Sequence, residues 1–134
     1  MNRFKLKKQK IISTGQGYIL RGIKVSEDEF LSFGETYFSV LVKDEIRAWK
    51  MHNQMTCNLL VPLGNIKFVI GSSHSDFEEI IIGETNYSRL TIPPGLWFGF
   101  QGLEKKNILT NIASIEHSPK ESETKPLGFF NYSW

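Results

Sequence analysis

Apolar residues along this chain fall in short runs rather than at the three-to-four spacing of an amphipathic helix. The runs cover residues 18–23, 37–42, 46–52, 58–61, 66–70, 79–82, 89–92 and 107–113. They are rich in Ile, Val, Phe and Tyr and are separated by Gly, Asn, Asp, Ser or Pro, the composition of strands between turns. Gly64-Asn65 predicts a tight hairpin turn, because both residues tolerate positive φ. Gly83 and Pro93-Pro94-Gly95 punctuate the later runs in the same way. Only residues 26–31 read as helical, with Ser26 as cap and Asp28 and Glu29 in the first turn. Many short strands without intervening helices predict an all-β sandwich or jelly-roll barrel.

A length of 134 residues fits one domain, 1–134, and hydrophobic residues at 40% with charged residues at 22% match an ordinary globular core. The net charge of +2 is too small to indicate nucleic acid, and much of the excess sits in Lys5, Lys7, Lys8 and Lys10. Residues 1–10 are therefore expected to be a basic, solvated N-terminal arm. No apolar run follows those lysines, so residues 1–17 do not read as a signal peptide, and no stretch is long enough for membrane insertion. The lone Cys57 cannot form an internal disulfide and reads as a packed thiol, which suits a cytoplasmic protein. Residues 118–126 read as a polar loop leading to Phe129, Phe130, Tyr132 and Trp134. That aromatic end is expected to dock on its own barrel or on a second subunit.

Three stretches carry a resemblance. Residues 37–52, YFSVLVKDEIRAWKMH, resemble a strand pair ending in R-G-x-H, with Ser39 and Arg47 on matching positions and Ala48 in place of the glycine. Residues 92–100, IPPGLWFGF, are similar to I-P-x-G-F-A-H-G-F. Ser118-Pro119 and the run to Trp134 resemble a Y-x-P segment and a final I-x-W. On these residues the chain resembles the dTDP-4-dehydrorhamnose 3,5-epimerase family, the RmlC-like cupins. The resemblance implies a cupin-type jelly-roll barrel, a nucleotide-sugar substrate, no cofactor, and a role in building surface polysaccharide such as O-antigen. It also implies a homodimer with exchanged N-terminal strands, which suits the apolar run 18–23, and an Arg21-Gly22 pair that helps hold the nucleotide.

In that family a histidine paired with an aspartate removes protons beside a C4 ketone, and a tyrosine on the other face returns them. Here Lys50 stands at the histidine position. The family's aspartate lies beyond the I-x-W, so no counterpart is expected. The tyrosine region reads Ile115-Glu116-His117-Ser118-Pro119, and Phe98 replaces a later histidine. Strand alternation puts Lys50 and His52 on one face, and Arg47, of opposite parity, joins them only through a bulge or from the strand end. Lys50 is a candidate base, enolate-stabilising cation, Schiff-base amine or simple ligand-binding lysine. Arg47 and Arg21 are expected on phosphates, Ser39 and Trp49 on substrate, and His117 or Tyr132 as the opposing acid. His52 reads either as a catalyst or as a hydrogen-bonded strand residue, and His74 as an exposed loop residue.

Metal-dependent cupins carry an H-x-H…E set and a later histidine. The matching positions here, Lys50, His52, Cys57 and Phe98, do not form such a set, so no metal is expected. Tyr87, Trp97 and Trp49 are the aromatics considered for stacking on a base or sugar, although each also reads as core. The rival to an isomerase is a non-catalytic barrel that binds sugar nucleotides or carbohydrate.

Overall fold

The computed structural model describes residues 3–73 and 76–134, and His74 lies outside them. Twelve strands form among the described residues: β1 (Lys5–Lys8), β2 (Ile11–Ser13), β3 (Tyr18–Leu20), β4 (Glu35–Val42), β5 (Ile46–His52), β6 (Cys57–Leu63), β7 (Asn65–Gly71), β8 (Glu78–Gly83), β9 (Ser88–Ile92), β10 (Trp97–Gly102), β11 (Lys106–Ala113) and β12 (Ser122–Thr124). One antiparallel sheet runs β1-β9-β6-β11-β4, the other runs β12-β5-β10-β7-β8, and β2 and β3 form a separate hairpin. The two five-stranded sheets enclose a core that includes Leu41, Val61, Phe68, Ile70, Leu90 and Leu109. This is the jelly-roll architecture that the short apolar runs predict.

Three local expectations are corrected. Gly64 does take positive φ (80°), but β6 and β7 belong to different sheets, so it turns a corner between sheets rather than a hairpin. A Cβ there would overlap Asn107 and the Lys106 carbonyl, which is why glycine occupies the corner. Residues 26–31 form turns instead of a helix. So short a segment cannot offset helix nucleation, and its carboxylates are drawn elsewhere. Glu27 accepts from the Lys24 amide (2.7 Å), while Glu27 and Glu29 both pair with the fully buried Arg89. Finally, the basic N-terminal stretch is not a free arm. Its side chains are exposed, but Lys5–Lys8 pairs with β9 as an edge strand.

The C-terminal aromatics dock on their own barrel. Phe130, Tyr132 and Trp134 pack with Trp49, Phe77, Val69 and Trp97 in a second apolar cluster. Strand alternation explains the split: Phe68, Ile70 and Phe98 point into the barrel, whereas Val69 and Trp97 point to the outer cluster.

Candidate active site

Strand β5 builds one wall of a cavity of about 320 Å³. Opposite it in the ladder, Phe98 pairs with Lys50 and Phe100 pairs with Arg47. Ala48 and Trp49 on β5 therefore face the single residue Gly99, and this bulge changes the parity. Arg47, Lys50 and His52 consequently all line the same cavity, as alternation plus a bulge requires. Gly99 is needed at the crowded step, where a Cβ would overlap Ala48 and press on Trp134.

His52 is 4% exposed, and its Nδ1 is bonded to a Glu121 carboxylate oxygen. The other Glu121 oxygen accepts from the amides of Gln54 and Met55, each at 3.2 Å. Glu121 thus faces three donors and acts as the orienting partner of the imidazole. It closes the short 3-10 turn Pro119–Glu121 and is held there because β12 pairs with β5, Ser122 opposite His52 and Thr124 opposite Lys50. Nδ1–H donation to Glu121 leaves Nε2 for the cavity, and that nitrogen has no hydrogen-bond partner among the described residues. Burial lowers the His52 pKa below its ordinary 6.5, against the raising effect of Glu121, and Lys50 and His117 add to the lowering. The ring is therefore neutral at neutral pH and can accept a proton. For Glu121, burial pushes upward, but hydrogen bonds from His52, Gln54 and Met55 outweigh it and hold the carboxyl below the ordinary 4.5.

Lys50 faces this cavity with no hydrogen bond or carboxylate partner among the described residues. Arg47 lies at its other end, where it donates to Glu45 and to the Val40 carbonyl, each at 2.9 Å. The facing sheet contributes Ser39, Tyr37 and Asn111, while Phe98, Phe100, Leu59 and Leu109 supply apolar lining. Cys57 also lines the cavity, and burial pushes its thiol up to about 12, so it stays protonated and inert as a nucleophile.

The geometry sorts the expected site residues. Arg47, Ser39, Lys50 and His52 come together in one cavity. Tyr132 does not join them: it lies on the far side of the β5 sheet, with its hydroxyl donating to Glu79, so it cannot be the opposing acid. Trp49 borders the cavity, but its ring is 1% exposed in the outer cluster and its Nε1 donates to the Leu127 carbonyl (3.0 Å), leaving no face for a ligand. Arg21 is exposed outside the cavity of its own chain, with its carbonyl accepting from Tyr87 (2.7 Å). His117 is also exposed and outside the lining, with its amide bonded to Glu35 (2.9 Å). Tyr87 and Trp97 are packing residues.

Sequence reasoning missed Glu121, Tyr37 and Asn111. Glu121 lies in a stretch that reads as loop, and its role depends on the β12–β5 pairing. Tyr37 carried a usable signal: strand alternation places Tyr37, Ser39 and Leu41 on one face and Phe38, Val40 and Val42 on the other. The more polar face is the inner one, facing the cavity, and the apolar face is exposed (Phe38 65%).

No family model matches the sequence, and no curated protein matches it. Solved structures do. A dTDP-sugar isomerase from Desulfovibrio desulfuricans G20 is 30% identical, with a TM-score of 0.91 over 98% of this chain and 90% of that one. The sugar 3,4-ketoisomerase QdtA from Thermoanaerobacterium thermosaccharolyticum, solved in complex with TDP, shares the fold at 20% identity, with a TM-score of 0.79 over 91% of this chain and 88% of that one. So does RmlC from Legionella pneumophila, solved in complex with dTDP-4-keto-L-rhamnose, at 17% identity and a TM-score of 0.81 over 93% of this chain and 73% of that one. The architecture is thus the cupin-type jelly roll of these proteins.

Proposed function

Because this chain belongs to the RmlC-like family of dTDP-sugar isomerases and epimerases, we propose that its cavity binds a nucleoside-diphosphate 4-keto-6-deoxyhexose and moves a proton beside the ketone. The observation that carries this reading is the His52–Glu121 pair, buried at the cavity wall next to Lys50. Removing an α-proton requires a neutral, oriented base and a positive group near the developing enolate oxygen. Neutral His52, with Nδ1 tied to Glu121, supplies the base at Nε2. Lys50, two residues away on the same face, supplies the cation. The proton taken from carbon rests on His52 as imidazolium, stabilised by Glu121. It passes to C4 while the C3 hydroxyl proton moves to the oxygen at C4, shifting the ketone to C3. Or it is lost to solvent while a solvent proton reaches the opposite face of the same carbon, giving the epimer. Arg47, at the other end of the β5 wall, suits the diphosphate. The apolar lining from Phe98, Phe100 and Leu59 suits the deoxyhexose methyl group and limits water at the enolate.

Two finer features belong to the same proposal. A second copy of the chain covers the exposed apolar face of Phe38, Val40 and Val42, together with the exposed Ile11, Tyr18 and Ile19 of the β2–β3 hairpin, giving a homodimer. The reaction serves the assembly of surface polysaccharide, as the family resemblance implies.

The test is incubation with dTDP-4-keto-6-deoxyglucose in deuterated water, followed by proton NMR. Deuterium entering at C3 or C5 supports the isomerase. Tight binding with no exchange at either carbon would leave a binding barrel instead and overturn the proposal.

A further inference from the structure

Three buried polar side-chain atoms lack a partner among the described residues: Arg89 Nε, Trp134 Nε1 and Asn111 Oδ1. Only Asn111 borders the cavity. It is 4% exposed on β11 and sits directly opposite Tyr37 of β4 in the ladder. Its Nδ2 donates to the Tyr37 hydroxyl oxygen at 2.9 Å and contacts Met55 Sδ at 3.8 Å. Tyr37 therefore receives a hydrogen bond without giving one to any described residue. Burial raises the phenol pKa above 10.0, so Tyr37 keeps its proton.

The pair presents one free acceptor, Asn111 Oδ1, and one free donor, Tyr37 O–H. Turning the amide over would let Tyr37 donate to Asn111 Oδ1 at the cost of the Met55 contact, and the pair would still offer the phenol oxygen as acceptor and Nδ2 as donor. A single donor beside a single acceptor matches a hydroxyl group, which gives one hydrogen bond and takes another. A carbonyl could satisfy only half of it. Leaving a buried acceptor unpaired is costly, and such exceptions in folded proteins call for a partner.

We infer that Tyr37 and Asn111 form a subsite that reads one ring hydroxyl of the sugar, on the sheet facing Lys50 and His52. This rests on the functional reading above and sharpens its substrate. In a 4-keto-6-deoxyhexose, C1 carries the nucleotide, C4 is the ketone, C5 bears no hydroxyl and C6 is a methyl. The hydroxyls left to be read are those at C2 and C3. The chain thus selects sugars that keep the hydroxyl it reads and rejects the counterpart deoxygenated there.

Calorimetric titration with dTDP-glucose and its 2-deoxy and 3-deoxy counterparts tests this. Wild-type protein is expected to bind one of the two deoxy ligands about 10- to 100-fold more weakly than dTDP-glucose, since the site's polar atoms would stay unpaired. In Asn111→Leu the same comparison is expected to shrink to about threefold or less, because the unpaired acceptor is gone, whereas Tyr37→Phe keeps Asn111 Oδ1 and should narrow it only in part. The wild-type comparison of the three ligands answers the question even if Asn111→Leu folds poorly. If wild type binds all three ligands equally, or if discrimination survives in folded Asn111→Leu, the hydroxyl subsite is wrong while the nucleotide-sugar reading stands. If folded wild type binds neither dTDP-glucose nor dTDP-4-keto-6-deoxyglucose, the functional reading itself fails, and the subsite with it.

Discussion

In a Glu121→Gln variant a carboxylate is exchanged for an amide of the same shape, and the surroundings dictate how that amide must sit. One Glu121 oxygen accepts from the Gln54 and Met55 amides at 3.2 Å, so that corner must remain an oxygen. The amide NH2 is then forced toward His52 Nδ1, where the carboxylate formerly accepted a hydrogen bond. His52 must accept at Nδ1 and carry its hydrogen on Nε2, the nitrogen left for the cavity. The ring stays in place but loses its ability to take a proton there. Loss of a positioned base predicts a fall of about 10²- to 10⁴-fold in the rate of deuterium exchange into a 4-keto nucleotide sugar. The two backbone hydrogen bonds survive, so stability should change by only about 1–3 kcal/mol, measured by thermal unfolding. Nitrogen-15 NMR of the histidines reports the tautomer, with the proton on Nδ1 in the wild type and on Nε2 in the variant. An inverted tautomer with an exchange rate within about threefold of wild type would refute the reasoning, because His52 would then not be the base.

Further outcomes follow from the same geometry. Lys50→Met keeps the stem and removes the charge, so turnover should fall by about 10²- to 10³-fold while nucleotide binding, measured by calorimetry, stays within about threefold. Arg89→Ala leaves the Glu27 and Glu29 carboxylates without their buried partner, and thermal unfolding should show a loss of about 3–5 kcal/mol, partly recovered by adding Glu27→Gln. Acid stability has a defined sign. Glu27 is held at about 2, first by the Lys24 amide, against an ordinary 4.5, so its contribution is complete above pH 4.5 and is lost as pH falls toward 2. His52, lowered by burial, adds destabilisation below pH 6.5, where the unfolded chain binds its proton more readily. Melting temperature against pH should therefore fall in two stages, and Glu27→Gln should flatten the more acidic one.

Much of the β5 wall was legible in the sequence. The run 46–52 matches β5 residue for residue, and the alternation of Lys50 and His52 fixed their shared face. Arg47 needed a bulge to join them, and the irregular pairing opposite Phe98 and Phe100 provides it. Glu121 was not legible, because a carboxylate in a Ser-Pro loop gains its role only from the pairing of β12 with β5, a contact between residues 69 apart in sequence for His52 and Glu121. The same contact gives His52 a carboxylate partner that the sequence did not reveal. The carboxylate comes from before the closing aromatics rather than after them. Tyr132 and Trp49 misled for a related reason. Their residue types fit a sugar site, but strand alternation and the docking of the C-terminal aromatics turned them to the outer face of the sheet. The Gly64 turn shows the limit of local signals: positive φ was readable, whereas which sheet the next strand joins depends on the whole barrel.

The central claim is that His52, oriented by Glu121, takes a proton from carbon beside a ketone. The most direct measurement compares wild type with His52→Asn for deuterium entry into dTDP-4-keto-6-deoxyglucose by proton NMR, with nucleotide binding checked alongside. Exchange at C3 or C5 in wild type, abolished in His52→Asn with binding retained, is the predicted result. Exchange that persists in His52→Asn would contradict it and move the base elsewhere in the cavity.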